Sequence, residues 1–154
     1  MRIMGVTFIG DYACKADSKW RVVVPSSFRK AMTVAGQAVF VLRRNMFDKC
    51  VDMYPLSEWE RMVERLRERL NPFDAKHAAF LREFFRGTQE VEMDANGRVL
   101  LPRRVMEEAG IGKEMVMAAQ DKVLQVWDAG KYEEVAMGAE ELGRLAGEVF
   151  RTEG

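Results

Sequence analysis

A chain of 154 residues in which 24 basic side chains balance 24 acidic ones carries no global positive field to announce a polyanionic partner, so any such surface must come from local clustering. With 48% hydrophobic and 31% charged residues the composition is that of an ordinary globular protein, which excludes wholesale disorder. Apolar runs such as Val22–Val24 and Val39–Leu42 fall far short of the roughly 20 residues needed to cross a bilayer, and the stretch after Met1-Arg2 is too short and polar for a signal-peptide core, so a cytoplasmic protein is expected.

In chain order, alternation at Tyr12, Cys14 and Ala16 predicts a half-buried strand, Asp17 to Lys19 a turn, and Val22-Val23-Val24 a second strand completing a β-hairpin. Pro25 suits the first turn of a helix over Ser26 to Ala35, which Gly36 stops. Strands at Val39 to Leu42 and Cys50 to Tyr54 then pair around the polar turn Asn45 to Lys49. Ser57 with Glu60 reads as a capping box opening a helix whose Trp59, Met62, Val63, Leu66 and Leu70 share one face, and Asn71-Pro72 ends it. A second helix, about Asp74 to Phe85, is expected to bury Leu81, Phe84 and Phe85. After Gly87 come a second hairpin, a helix from Pro102 ending at Gly110, and strands near Met115 to Ala118 and Val123 to Trp127. An amphipathic C-terminal helix carries Leu142, Leu145, Ala146, Val149 and Phe150 on one face.

These elements are one module written twice. Residues 10–25 lie over residues 87–102 at an offset of 77, with Phe8 over Phe85, Gly10 over Gly87, Asp17 over Asp94, Arg21 over Arg98, Val22 over Val99 and Pro25 over Pro102. The match resumes at an offset of 73, where Asp48-Lys49 lies over Asp121-Lys122 and Tyr54 over Trp127. The expected division is a first module over 5–55, a helical connector over 56–86, a second module over 87–137 and a C-terminal helix and tail over 138–154. A module of this size buries too little surface to be secure alone, so two copies in one chain should share a core.

The informative constellation, also duplicated, is Asp-x-x-x-Arg with Pro four residues after the arginine. An aspartate opening a turn accepts from amides two residues on, and the arginine offers a planar fork of donors to that aspartate, to a phosphate or to a guanine edge. A charged pair across a hairpin is commonly no more than an ion pair. Lys15, Lys19 and Arg21 cluster at the first turn, however, and two turns brought together would concentrate positive charge.

The motifs Asp17-Ser18-Lys19-Trp20-Arg21 and Asp94-Ala95-Asn96-Gly97-Arg98, with Pro25-Ser26-Ser27-Phe28-Arg29 and Tyr54-Pro55-Leu56-Ser57-Glu58-Trp59, resemble the MraZ family of bacterial transcriptional regulators over nearly the whole chain. The resemblance implies an α+β, mainly β fold: two tandem swapped-hairpin AbrB-like (SpoVT-type) β-barrel modules forming an intrachain pseudo-dimer, with inter-repeat and C-terminal helices. It implies a homo-oligomeric ring whose outward hairpins bind short direct repeats in double-stranded DNA upstream of the division and cell-wall gene cluster, hence a nucleoid-associated protein. Carried over by position, the DNA contacts are Lys19 and Arg21 in the first copy and Asn96 and Arg98 in the second, beside the clustered Lys15, with Asp17 and Asp94 as turn-builders. One departure stands out: Trp20 occupies the position where the family has glycine and the second copy has Gly97. If that position needs a positive φ angle, either the first hairpin is reshaped or Trp20 lies against DNA or a neighbouring subunit, and the second copy should hold the family geometry more closely.

No enzyme, cofactor, metal or small-molecule substrate is indicated. There is no Gly-rich phosphate loop, no Gly-x-Ser-x-Gly elbow and no histidine near a nucleophile, while Glu107-Glu108 and Glu133-Glu134 are adjacent along helices and diverge. Cys14, Cys50 and His77 lack ligand spacing, and the methionines suit apolar contacts. The alternative to DNA binding is a protein-interaction module that uses the same hairpins and apolar helices for assembly.

Overall fold

Both copies of the repeat fold into the same succession of elements, but neither keeps its own first strand. In the computed structural model, which describes residues 7–151, the first copy runs β1 (Asp11–Lys15), β2 (Arg21–Val23), α1 (Ser26–Val34), β3 (Val39–Arg44) and β4 (Val51–Pro55). The connector is α2 (Leu56–Arg69) and α3 (Ala75–Phe85). The second copy runs β5 (Gln89–Glu92), β6 (Arg98–Leu100), α4 (Arg103–Glu108), β7 (Glu114–Gln120) and β8 (Val123–Asp128), and α5 (Ala129–Glu134) and α6 (Ala139–Val149) complete the chain.

The pairing is reciprocal. Strand β1 crosses to β7 of the second copy, with Tyr12 opposite Met117, and β5 crosses back to β3, with Phe40 opposite Val91. Strands β3 and β4 pair around the Asn45 to Lys49 turn, and β4 meets β8 across the copies, with Met53 opposite Leu124. The result is a six-stranded sheet in the order β1-β7-β8-β4-β3-β5 beside a two-stranded ribbon, β2-β6, centred on Val22 and Val99. This is the swapped-hairpin pseudo-dimer. Two details differ from the sequence reading. The strands on either side of each Asp-x-x-x-Arg turn do not ladder with each other, because the backbone edges of β1 and β5 are taken by β7 and β3 of the opposite copy. Nor does the hydrogen-bonded sheet close into a barrel: β1 and β5 stand at its edges and lead into β2 and β6, which are three residues long and, among the described residues, ladder only with one another.

One core serves both copies. Val22, Val24, Phe28, Met32, Phe40, Leu42 and Met53 from the first pack in a single cluster with Val99, Leu101, Met106, Met115, Met117, Leu124 and Val126 from the second. Helix α1 contributes Phe28 and Met32, one helical turn apart, to this core. Cys50 is buried with its thiol pushed up to about 12 by burial, and burial also raises the thiol of half-buried Cys14, so both act as apolar filler.

The helical connector corrects three expectations. Ser57 is not an N-cap: α2 starts at Leu56, and the Ser57 amide donates to Gln37 Oε1 (3.0 Å) while Gln37 Nε2 donates to Ser57 Oγ (2.7 Å). The long-range glutamine does the work expected of the capping box. In α3, which Asp74 caps, only Phe84 is buried; Leu81 is half-buried and Phe85 exposed. Phe84 is held by Arg43, whose guanidinium lies 3.9 Å from its ring centroid while Nε donates to its carbonyl (3.1 Å), and Trp59 of α2 packs against both Phe84 and Phe85. His77 closes the loop by accepting the Asn71 amide at Nδ1 (2.8 Å). Helix α6 forms as expected, yet none of its residues is buried. Among the described residues no helix is long and apolar enough to cross a membrane.

Candidate nucleic-acid interface

Each Asp-x-x-x-Arg turn is held by its aspartate in the same way. Asp17 Oδ1 accepts from the amides of Lys19 and Arg21, both at 2.9 Å, and Oδ2 accepts from Arg21 Nε at 2.9 Å. Asp94 Oδ1 accepts from the amides of Asn96 and Arg98, both at 2.9 Å, and Oδ2 from Arg98 Nε at 3.1 Å. Backbone bonds close each loop, Asp17 N–H to Arg21 O (2.9 Å) and Asp94 N–H to Arg98 O (2.8 Å). The amide of Arg21, then that of Lys19 and the Arg21 side chain, hold the Asp17 carboxyl below its ordinary value, and Arg98 and Asn96 do the same for Asp94. The three-residue spacer is therefore what lets one carboxylate reach the two amides and the guanidinium.

The first hairpin is not reshaped by its indole. Trp20 adopts φ 64 and Gly97 φ 76, and each donates its amide to the turn aspartate's carbonyl at 3.0 Å. Left-handed backbone costs a residue other than glycine about 1–2 kcal/mol. The half-buried indole offsets this by packing on the shared core, with Lys113 Nζ 6.0 Å from its ring centroid. In the second hairpin the corresponding space belongs to Arg29 of α1. A Cβ on Gly97 would overlap the Arg29 side chain, with Nη1 at 2.9 Å and Nε at 3.0 Å. Arg29 Nε is the one buried side-chain polar atom without a partner among the described residues. Neither Arg29 nor Lys113 was singled out from the sequence. Both are brought to a turn by the swap, and nothing in local spacing marks them.

The ribbon joins the two turns. Val22 and Val99 point into the core, so Arg21 and Val23 of β2 and Arg98 and Leu100 of β6 share the opposite side. Antiparallel register sets Arg21 opposite Leu100 and Val23 opposite Arg98. The arginines thus lie on a diagonal about 7–8 Å across. Their side chains are 39% and 34% exposed, and bonding to aspartate through Nε leaves Nη1 and Nη2, among the described residues, free for a further acceptor. Lys19 and Asn96 are exposed at the turns on either end of this ribbon. Lys15 is not part of it: it sits on β1, in register with Glu114 of β7. A two-stranded ribbon with paired guanidinia fits the width of a B-DNA major groove, about 12 Å.

Comparison with known proteins matches this architecture twice over. A family model described as "MraZ protein, putative antitoxin-like" matches residues 7–83 and again residues 84–147, once per copy of the repeat. A protein of Christiangramia forsetii named Transcriptional regulator MraZ is 37% identical over 146 residues, covering 94% of each chain. A protein of the same name from Acetivibrio thermocellus is 38% identical over 127 residues, 82% of this chain and 84% of the relative. Another from Flavobacterium psychrophilum is 36% identical over 127 residues, 82% of this chain and 80% of the relative.

Proposed function

The chain belongs to the MraZ family, and from that premise we propose that it is a sequence-specific DNA-binding transcriptional regulator rather than an enzyme. The observation that carries this reading is the β2-β6 ribbon, where two arginines, each held by an aspartate through Nε alone, present their remaining donors on one side. Arg21 and Arg98 read base edges, Lys19 and Asn96 extend the contact at the turns, and Asp17 and Asp94 orient the arginines. Lys15, standing apart on β1, is left a contribution to phosphate attraction. The target we propose is double-stranded DNA bearing short direct repeats in the promoter of the division and cell-wall gene cluster, bound by a homo-oligomeric ring in the cytoplasm at the nucleoid.

Assembly has its own support. Leu142 and Val149 of α6 and Phe150 just after it are exposed, and an apolar groove of about 290 Å³ runs between α2 and α3, lined by Val63, Leu66, Leu70, Leu81 and Phe85. These surfaces also favour the second reading, an assembly module without specific DNA binding. Arginine variants separate the two. The Asp–Arg pairs are exposed, and such pairs contribute about 0–1 kcal/mol to stability. Arg21→Ala and Arg98→Ala should therefore melt close to the parent while losing about tenfold or more in promoter affinity, the worth of one good base contact. If either variant is unfolded by circular dichroism, that arginine is structural; if both bind DNA as the parent does, the hairpins serve assembly.

A further inference from the structure

Between the two arginines the outward side of the ribbon carries two side chains that the DNA-binding reading has not used. Val23 is 52% exposed and Leu100 58%, although both are flanked by core residues at 0 or 1%: Val22 and Val24 on one strand, Val99 and Leu101 on the other. They are equivalent positions of the repeat, separated by the same offset of 77 that relates Arg21 to Arg98. Register completes the pattern, since Leu100 sits opposite Arg21 and Val23 opposite Arg98. The face is a two-by-two array of guanidinium and branched aliphatic, each kind on one diagonal.

We propose that Val23 and Leu100 are specificity-determining residues that contact thymine C5-methyl groups next to the bases read by the arginines. The inference rests on the DNA-binding reading and deepens it. In the major groove the only apolar feature of a base edge is the thymine methyl, and the strongest acceptor pair is guanine O6 and N7. An aliphatic side chain opposite an arginine, at a cross-strand separation of about 4.5–5.5 Å, therefore matches a thymine beside a guanine. The flanking cations argue for DNA over a second protein chain, because an apolar protein interface would bury both guanidinia with no further acceptor supplied by this chain. The pairing is also unequal: valine with the Lys19 turn's strand and leucine with the Asn96 turn's strand break the pseudo-two-fold, so the two halves of a site need not be read alike.

The test alters the DNA first. A duplex of the chain's own division-cluster promoter, prepared with deoxyuridine in place of every thymidine, keeps pairing and charge and removes only the methyls. By fluorescence anisotropy the parent should bind it about fourfold more weakly for each methyl contacted, since each carries roughly the transfer value of one methylene. The double variant Val23→Ser/Leu100→Ser should bind the thymine duplex more weakly and no longer distinguish it from the uracil duplex. Its dependence on salt should stay that of the parent, because apolar contacts release no counterions. Equal binding of both duplexes by the parent, with preference for promoter over scrambled sequence retained, overturns the proposal and leaves the DNA-binding reading standing. A change in oligomeric state of the serine variant by light scattering also overturns it, assigning the face to assembly. Failure of the parent to bind any duplex overturns both readings.

Discussion

Asp17 and Asp94 each spend both carboxylate oxygens on their own turn, and that determines how the hairpins respond to acid. Both carboxyls are held below the ordinary value of 3.8, chiefly by the arginine amides. The stabilisation is therefore complete above 3.8 and is lost as pH falls through the lower folded-state value. A carboxyl titration by NMR should place both midpoints under 3.8; a midpoint at or above it for either residue contradicts the bonding described. Gly97 makes a second demand at this scale. Gly97→Ala should destabilise by about 1–2 kcal/mol for the left-handed backbone alone, and should also displace Arg29. The matched substitution Trp20→Gly relieves that strain but removes a half-buried indole, so its Tm should move less. Chemical denaturation of the two variants checks the order, and a larger loss in Trp20→Gly would mean that indole packing outweighs the backbone. The asymmetry itself was legible, since a tryptophan facing a glycine in an otherwise parallel motif is visible in the sequence. That the turn survives it was not, because the compensation comes from the core and from Lys113, distant in the chain.

At the scale of elements, periodicity and the repeat located the strands and helices, because Val22 to Val24 and Val99 to Leu101 are short apolar runs and Pro25 and Pro102 open helices. Partnership was less legible. Alternation says that β1 buries one face, and says nothing of which copy covers it; the swap to β7 is set by tertiary register. The same limit applies to Ser57, whose local pattern is a capping box but whose amide is taken by Gln37, 20 positions away. Helix α6 is the converse case. Its apolar face is legible in the spacing, yet among the described residues Leu145 and Ala146 are only half-buried and none of the helix is buried. Truncation after Met137 should leave the melting of the sheet unchanged while lowering the assembled mass and, through lost effective concentration, weakening binding to tandem repeats by about tenfold or more. Light scattering decides the matter: an unchanged mass would remove α6 from assembly.

The whole molecule unfolds as one unit if the core is as shared as its residues indicate. Phe28 is fully buried in a cluster drawn from both copies, so Phe28→Ala should cost about 3–5 kcal/mol and lower a single transition. Two resolved transitions would mean that the copies fold separately. Balanced charge works at this scale too: with 24 charges of each sign, the proposed DNA binding draws its affinity from hairpins multiplied by assembly, and not from a long-range field. Binding should therefore strengthen with the number of repeats in the duplex, and equal affinity for one repeat and for three at one salt concentration would count against a multivalent ring. The central claim is sequence-specific DNA binding, and fluorescence anisotropy of the promoter duplex against a scrambled duplex at two salt concentrations tests it most directly. Tighter binding to the promoter, weakening as salt rises, is the predicted result. Equal binding of the two duplexes, or none, would contradict it.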